Sequence, residues 1–183
     1  MTGDSGSDVD IAPLGRDEWP ILKRLRIAAL TDAPDAFGPT ADHARAQPDA
    51  YWQTWASRLD AARGLALLVL RVAGEPAGLV SATKDRNGVG HIGAMWVAPA
   101  GRGRHLGSRL LDRGLAFLDA SGCRTIELSV TEGNDGPLSL YRSRGFELTG
   151  ASEPLRASSA LKNLFMRRVR ADAESKREPP HKV

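Results

Sequence analysis

The chain has 183 residues, of which 42% are hydrophobic and 26% charged, and its formal charge is +3. That is enough chain for one domain with a full-sized core. The mild basicity, clustered near one loop and the C-terminus, argues against a nucleic-acid binder, which needs a long basic stripe with interleaved aromatics. One cysteine, Cys123, excludes an internal disulfide and any Cys-rich zinc site; between a helix and a strand it reads as a small buried residue. No apolar run approaches the roughly 18 residues of a membrane span, and the start is acidic and polar, so a cytoplasmic protein without a membrane partner is expected.

Residues 1–7 are rich in Gly, Ser and Asp and are expected to be disordered. Val9 to Pro13 alternates like a first strand. Asp17 is placed to cap a helix carrying Trp19, Leu22, Leu25, Ile27 and Leu30, with Pro20 tolerated in its first turn. Thr31 to Pro39 holds two prolines and a glycine and reads as a loop that packs Phe37 over something. A second helix is expected from Thr40 or Pro48 to about Ala62, carrying Tyr51, Trp52 and Trp55.

From Leu65 the period changes. Leu65 to Val72 and Ala77 to Thr83 form a hairpin about Gly74-Glu75-Pro76, and Asn87-Gly88 turns the chain into a strand from His91 to Val97. Pro99 stops that strand, having no amide hydrogen for a ladder. Gly101, Gly103 and Gly107 then lead into a helix with Leu106, Leu110, Leu111, Leu115 and Leu118 in helical period. The first amides of a helix have no internal partner and carry partial positive charge, so a strand, a Gly- and Arg-rich turn and a helix opening together make an anion site. Arg102 and Arg104 add full charges. A fifth strand over Thr125 to Val130 follows its helix and is expected to run parallel to the fourth. A short helix from Pro137 to Arg144, a strand starting at Glu147 and a last strand from Leu164 to Val169 complete a domain over 8–169, with 170–183 a polar tail.

The glycine spacing satisfies neither the Walker loop nor the dinucleotide G-x-G-x-x-G. Arg102-Gly103-Arg104-His105-Leu106-Gly107 instead resembles the pyrophosphate loop of the GNAT acyl-CoA N-acyltransferases, Gln/Arg-x-x-Gly-x-Gly/Ala. His105 stands where that family usually has glycine, which is tolerable if the position has helical dihedrals. The element order β-α-α-β-β-β-α-β-α-β-β is similar to the GNAT order. So is the run from Asn134 to Phe146, with Leu140-Tyr141 and Gly145-Phe146 in register and Pro137 replacing a customary alanine.

The resemblance implies an α/β (α+β) fold: a mixed, mostly antiparallel twisted sheet of about seven strands with four helices and splayed fourth and fifth strands. It implies transfer of acetyl from acetyl-CoA, bound as a substrate and without a metal, to an amine. A small-molecule amine is the first choice; a protein or peptide amine, or a non-catalytic acyl-CoA sensor, are the alternatives. In this reading the loop from Arg102 through Gly103, Arg104, His105, Leu106, Gly107 to Ser108 holds the diphosphate. Met95 presents an amide to the thioester carbonyl, Trp96 and Val97 meet the pantetheine amides, and Asn134 holds the arm or a water. Tyr141, protonated at neutral pH, donates to the departing thiolate. His91 is the candidate base, some 13 Å along the strand from Met95, with Glu132 as the other candidate. Phe37, Trp52 and Trp55 are expected in the acceptor wall. No nucleic-acid partner is expected, and room is left for a homodimer.

Overall fold

The computed structural model describes residues 9–170. The strands are β1 (Val9–Pro13), β2 (Leu65–Val72), β3 (Glu75–Lys84), β4 (Gly90–Val97), β5 (Thr125–Thr131), β6 (Glu147–Pro154) and β7 (Lys162–Val169). They form one sheet in the order β1-β2-β3-β4-β5-β7-β6. Every neighbouring pair is antiparallel except β4 with β5. The expected seven strands and the single parallel step are therefore present.

Strand periodicity sorts the apolar residues into two cores. On β2, Ala66, Leu68 and Leu70 face a core shared with α4 (Leu106–Ala120) and α5 (Asp135–Arg142), while Leu67 and Val69 face one shared with α1 (Trp19–Asp32) and α3 (Asp49–Ser57). With both faces covered, β2 reads as a near-continuous apolar run. Each fully buried leucine there contributes about 1.5–3 kcal/mol of hydrophobic free energy. Helix α4 lays Leu106, Leu110, Leu111, Leu115 and Leu118 on the first core along one stripe. Gly114 lets it approach closely, since a Cβ there would stand 3.0 Å from Ile92 Cδ1.

Two details of the helices differ from expectation. The aromatic helix is two helices, α2 (Ala41–Arg45) and α3, so both proposed starts exist and the count is five. Pro48 causes the break, because proline disfavours helical dihedrals in the residue before it while serving well at a helix start. Thr40 caps α2 by accepting from the His43 amide at 3.2 Å, and α3 ends at Ser57, short of Ala62. Asp17 is not the cap of α1. It lies in a 3₁₀ turn over Arg16–Glu18, and Glu18 closes that turn by accepting from the Gly15 amide at 2.7 Å. The segments 1–7 and 171–183, expected to be disordered and tail-like, lie outside the described residues.

The feature that positions the site is a bulge in β4. Ser81 pairs with Gly93 and Leu79 with Trp96, so Val80 faces two residues, Ala94 and Met95. Ala94 has φ +51°, in the left-handed region. A straight strand would point Ile92 and Trp96 to the same side; the extra residue inverts the alternation beyond it. Ile92 accordingly packs in the α4 core and Trp96 in the α1 core. On its other edge β4 pairs with β5 only at Gly90–Ile126 and His91–Glu127. Beyond His91 the two strands part, and a cavity opens between them.

Candidate active site

The cavity has a volume of about 840 Å³ and is bounded by the end of α1, the bulged half of β4, the loop into α4, β5 and α5. Its size suits a small-molecule ligand. At the loop, no amide from Gly103 to Ser108 makes a hydrogen bond of good geometry among the described residues; the first that does is Arg109, whose N–H donates to His105 O at 3.1 Å. Six consecutive donors at the start of a fifteen-residue helix are a cradle for an oxyanion.

The conformation of that loop decides the condition attached to His105. His105 does not have helical dihedrals; it sits at φ +56°, ψ 15° as the residue before α4. A side chain in the left-handed region costs roughly 1–2 kcal/mol, which is the physical reason glycine suits this position. Gly103, at φ +74°, occupies the same region without that cost.

Arg102 reaches back across the cavity mouth to Asp32, the last residue of α1. The Trp96 indole N–H donates to the same carboxylate at 2.8 Å. A carboxylate at a helix C-terminus opposes the macrodipole, and these two donors offset that. The Trp96 hydrogen bond holds the Asp32 carboxyl below the usual carboxylate range against the opposing desolvation, with the hydrogen bond and charge of Arg102 adding to it. The bulge makes this contact possible by turning Trp96 to the α1 side.

On the opposite wall Tyr141 is 8% exposed, and its hydroxyl donates to Met95 Sδ at 3.8 Å. Burial pushes its pKa up to about 12. A thioether is a weak acceptor, so this hydroxyl is readily exchanged onto a stronger one.

The family model described as "Acetyltransferase (GNAT) family" matches residues 27–146. The chain belongs to the GNAT acetyltransferase family. The matched span runs from inside α1 to Phe146 and includes the bulged strand, the loop and α5. Three solved structures carry the same fold. A GNAT acetyltransferase from Streptococcus pneumoniae is 19% identical with a TM-score of 0.77, covering 90% of this chain and all of that one. The protein yncA from Salmonella typhimurium, solved with its cofactor acetyl-CoA, is 20% identical at TM-score 0.73, covering 97% and 100%. A ribosomal-protein-alanine N-acetyltransferase from Brucella melitensis is 20% identical at TM-score 0.72, covering 87% and 99%.

In this GNAT domain the cavity gathers many of the residues picked from the sequence. Met95, Trp96, Val97, Arg102, Gly103, His105, Leu106, Gly107, Ser108, Asn134, Tyr141 and Phe37 all line it. Arg104 is exposed on the loop outside the lining.

Four other residues are not brought together with them. His91 lies where β4 is still paired with β5, and its Nε2 is 3.3 Å from Asp85 Oδ2 in the β3–β4 turn. Trp52 and Trp55 stack on each other with centroids 5.9 Å apart in the α1–α3 core. Helix α3 stands behind α1, which is why its aromatics do not reach the cavity. Glu132 is exposed and outside the lining as well.

The cavity also contains residues that sequence reasoning did not select: Arg26 on α1, Thr131 on β5 and Asn163 on β7. Asn163 pairs with Thr131 across the β5–β7 ladder. The one available signal was Arg26 itself, a charge flanked by Leu25 and Ile27 on the apolar face of α1. Cys123 is buried at 1% exposure, and desolvation raises its pKa, as suits a packing residue.

Proposed function

We propose that this chain is an N-acetyltransferase that moves an acetyl group from acetyl-CoA to a primary amine of a small molecule. The observation that carries the reading is the row of six amides, Gly103 to Ser108, that make no hydrogen bond of good geometry among the described residues, at the mouth of the β4–β5 opening. These amides hold the diphosphate, and Arg102 and Arg104 supplement them with charge. The pantetheine arm enters the opening along the main chain of Trp96 and Val97, with Asn134 on the facing wall. The thioester carbonyl takes its hydrogen bond from the Met95 amide on the bulged strand, where the developing oxyanion is stabilised most.

The neutral amine attacks the carbonyl carbon. The new C–N bond forms, the C–S bond breaks, and the sulfur takes its hydrogen bond and proton from Tyr141. The proton lost by nitrogen returns to the phenolate or leaves with water. Tyr141 suits the donor role because burial keeps it protonated across the neutral range, and because its present partner, Met95 Sδ, is the weaker acceptor. With His91 outside the cavity, β4 supplies no base, and the amine sheds its proton to solvent.

Isothermal titration of the chain with acetyl-CoA, followed by thiol-release assays against a panel of amines, tests this reading. Micromolar binding with amine-dependent thiol release is expected. Failure to bind acetyl-CoA overturns it, and binding without turnover on any amine would leave a sensor. In the same assay His91→Ala should keep the rate of the parent; a loss of about 10²-fold or more would return the imidazole to the role of base.

A further inference from the structure

Arg26 is 8% exposed in the middle of α1. Its guanidinium carbon lies 4.7 Å over the ring of Phe37, and both residues line the cavity. Among the described residues it forms no ion pair, and its Nη1 is buried with no hydrogen-bond partner. The carboxylate on the same wall is already engaged, since Asp32 receives Trp96 and Arg102; Asp35, outside the lining, receives Arg156 at 3.0 Å. A guanidinium does not shed its proton, so a buried one without an anion is costly. The face of Phe37 offsets only part of that. Thr131 is a second unmet group on the cavity: it is 4% exposed, and its Oγ1 is buried without a partner.

We propose that Arg26 anchors the acceptor, and that the amine acetylated by this chain carries a carboxylate. The inference rests on the acetyltransferase reading above and adds the class of acceptor. The planar guanidinium presents paired N–H groups that match a carboxylate, while the other arginine of the cavity, Arg102, belongs to the diphosphate loop. The carboxylate settles against Arg26 with its apolar part on Phe37, and the amine is left pointing toward the bulge of β4. A diamine or polyamine fits poorly, because its second cation meets Arg26.

The test uses the intact chain, acetyl-CoA and matched acceptors: free amino acids, their carboxamides, linear diamines and short peptides. The free acids should react with kcat/KM at least about tenfold above their carboxamides. Arg26→Met should erase that preference by raising KM for the acids roughly 10- to 100-fold, with acetyl-CoA affinity kept. It should also melt no lower than the parent, because it replaces a buried unpaired charge by an apolar side chain. Equal rates for acids and carboxamides, a preference that survives in Arg26→Met, or reaction confined to diamines or peptides overturns the assignment. So does acetyl-CoA binding with no reaction across the panel. Absence of acetyl-CoA binding in the parent chain is a separate outcome and removes the acetyltransferase reading itself. Should Arg26→Met fail to fold, the preference of the parent chain decides alone.

Discussion

The two ends of the cavity are made of different material. Where β4, the loop and α4 meet, the groups offered are main-chain amides, held by a bulge, a left-handed residue and a helix start. Where α1 meets the cavity, the groups offered are side chains: Arg26, Asp32 and Phe37. Backbone recognition tolerates many side chains but demands particular dihedrals. Side-chain recognition tolerates many backbones but fails with one substitution. A cofactor that stays the same and an acceptor that differs between enzymes would call for this division.

The comparison is broken most sharply at Tyr141, the side chain on which the backbone end depends. Tyr141→Phe should lower kcat by about 10²- to 10⁴-fold with acetyl-CoA affinity retained, measured by steady-state kinetics and titration. Because burial holds the phenol up to about 12, no alkaline limb from Tyr141 should appear below about pH 11 in the parent. The stability sign follows: a phenol raised above its ordinary pKa of about 10 contributes fully below that pH. Its contribution is lost as the pH rises toward 12.

Gly78→Ala should have the next effect, this time on the backbone itself. A Cβ there would stand 2.8 Å from Trp96 O and 3.2 Å from Leu70 Cδ2, so β4 must shift where it bulges. A loss of about 1–3 kcal/mol is expected, with weaker acetyl-CoA binding. Unaltered melting and binding would show that the bulge yields easily.

Asp32→Asn tests how the two ends are fastened together. It should cost about 1 kcal/mol at neutral pH by weakening the hydrogen bond from Trp96 and the pairing with Arg102. Since the Asp32 pKa is lowered in the fold, its contribution is present above the ordinary carboxylate range and disappears as the pH falls. Parent and variant should therefore converge in acid denaturation.

The smallest change is His105→Gly. Relief of the left-handed side chain is worth roughly 1–2 kcal/mol, against about 0.5–1 kcal/mol of added chain entropy. A rise of up to about 1.5 kcal/mol is expected, with binding kept. A fall would give the imidazole a role of its own.

This division also explains what could be read from the residues alone. The loop, the strands of the hairpins and the α5 run declare themselves through glycine, proline and alternation, because each is a local demand on φ and ψ. The splay could be expected only through resemblance, and the handedness of His105 stays open in the sequence because a histidine carries no mark of the dihedrals it occupies. Pro48 was visible as a possible start, but not as a break between two helices. The aromatics of α3 were assigned to the acceptor wall on residue type. Whether they face the cavity depends on the stacking of α3 behind α1, which is tertiary. Arg26 is illegible in the sequence for the same reason: one arginine among several on a helix gains meaning only where its guanidinium is buried beside a cavity with no anion among the described residues to meet it.

The inverted alternation at Ala94 also constrains how this chain can vary. Deleting or inserting a single residue within β4 would exchange the occupants of the two cores, sending Trp96 to the α4 side and away from Asp32. Residues in that strand can be substituted one by one, but its length is held to a parity.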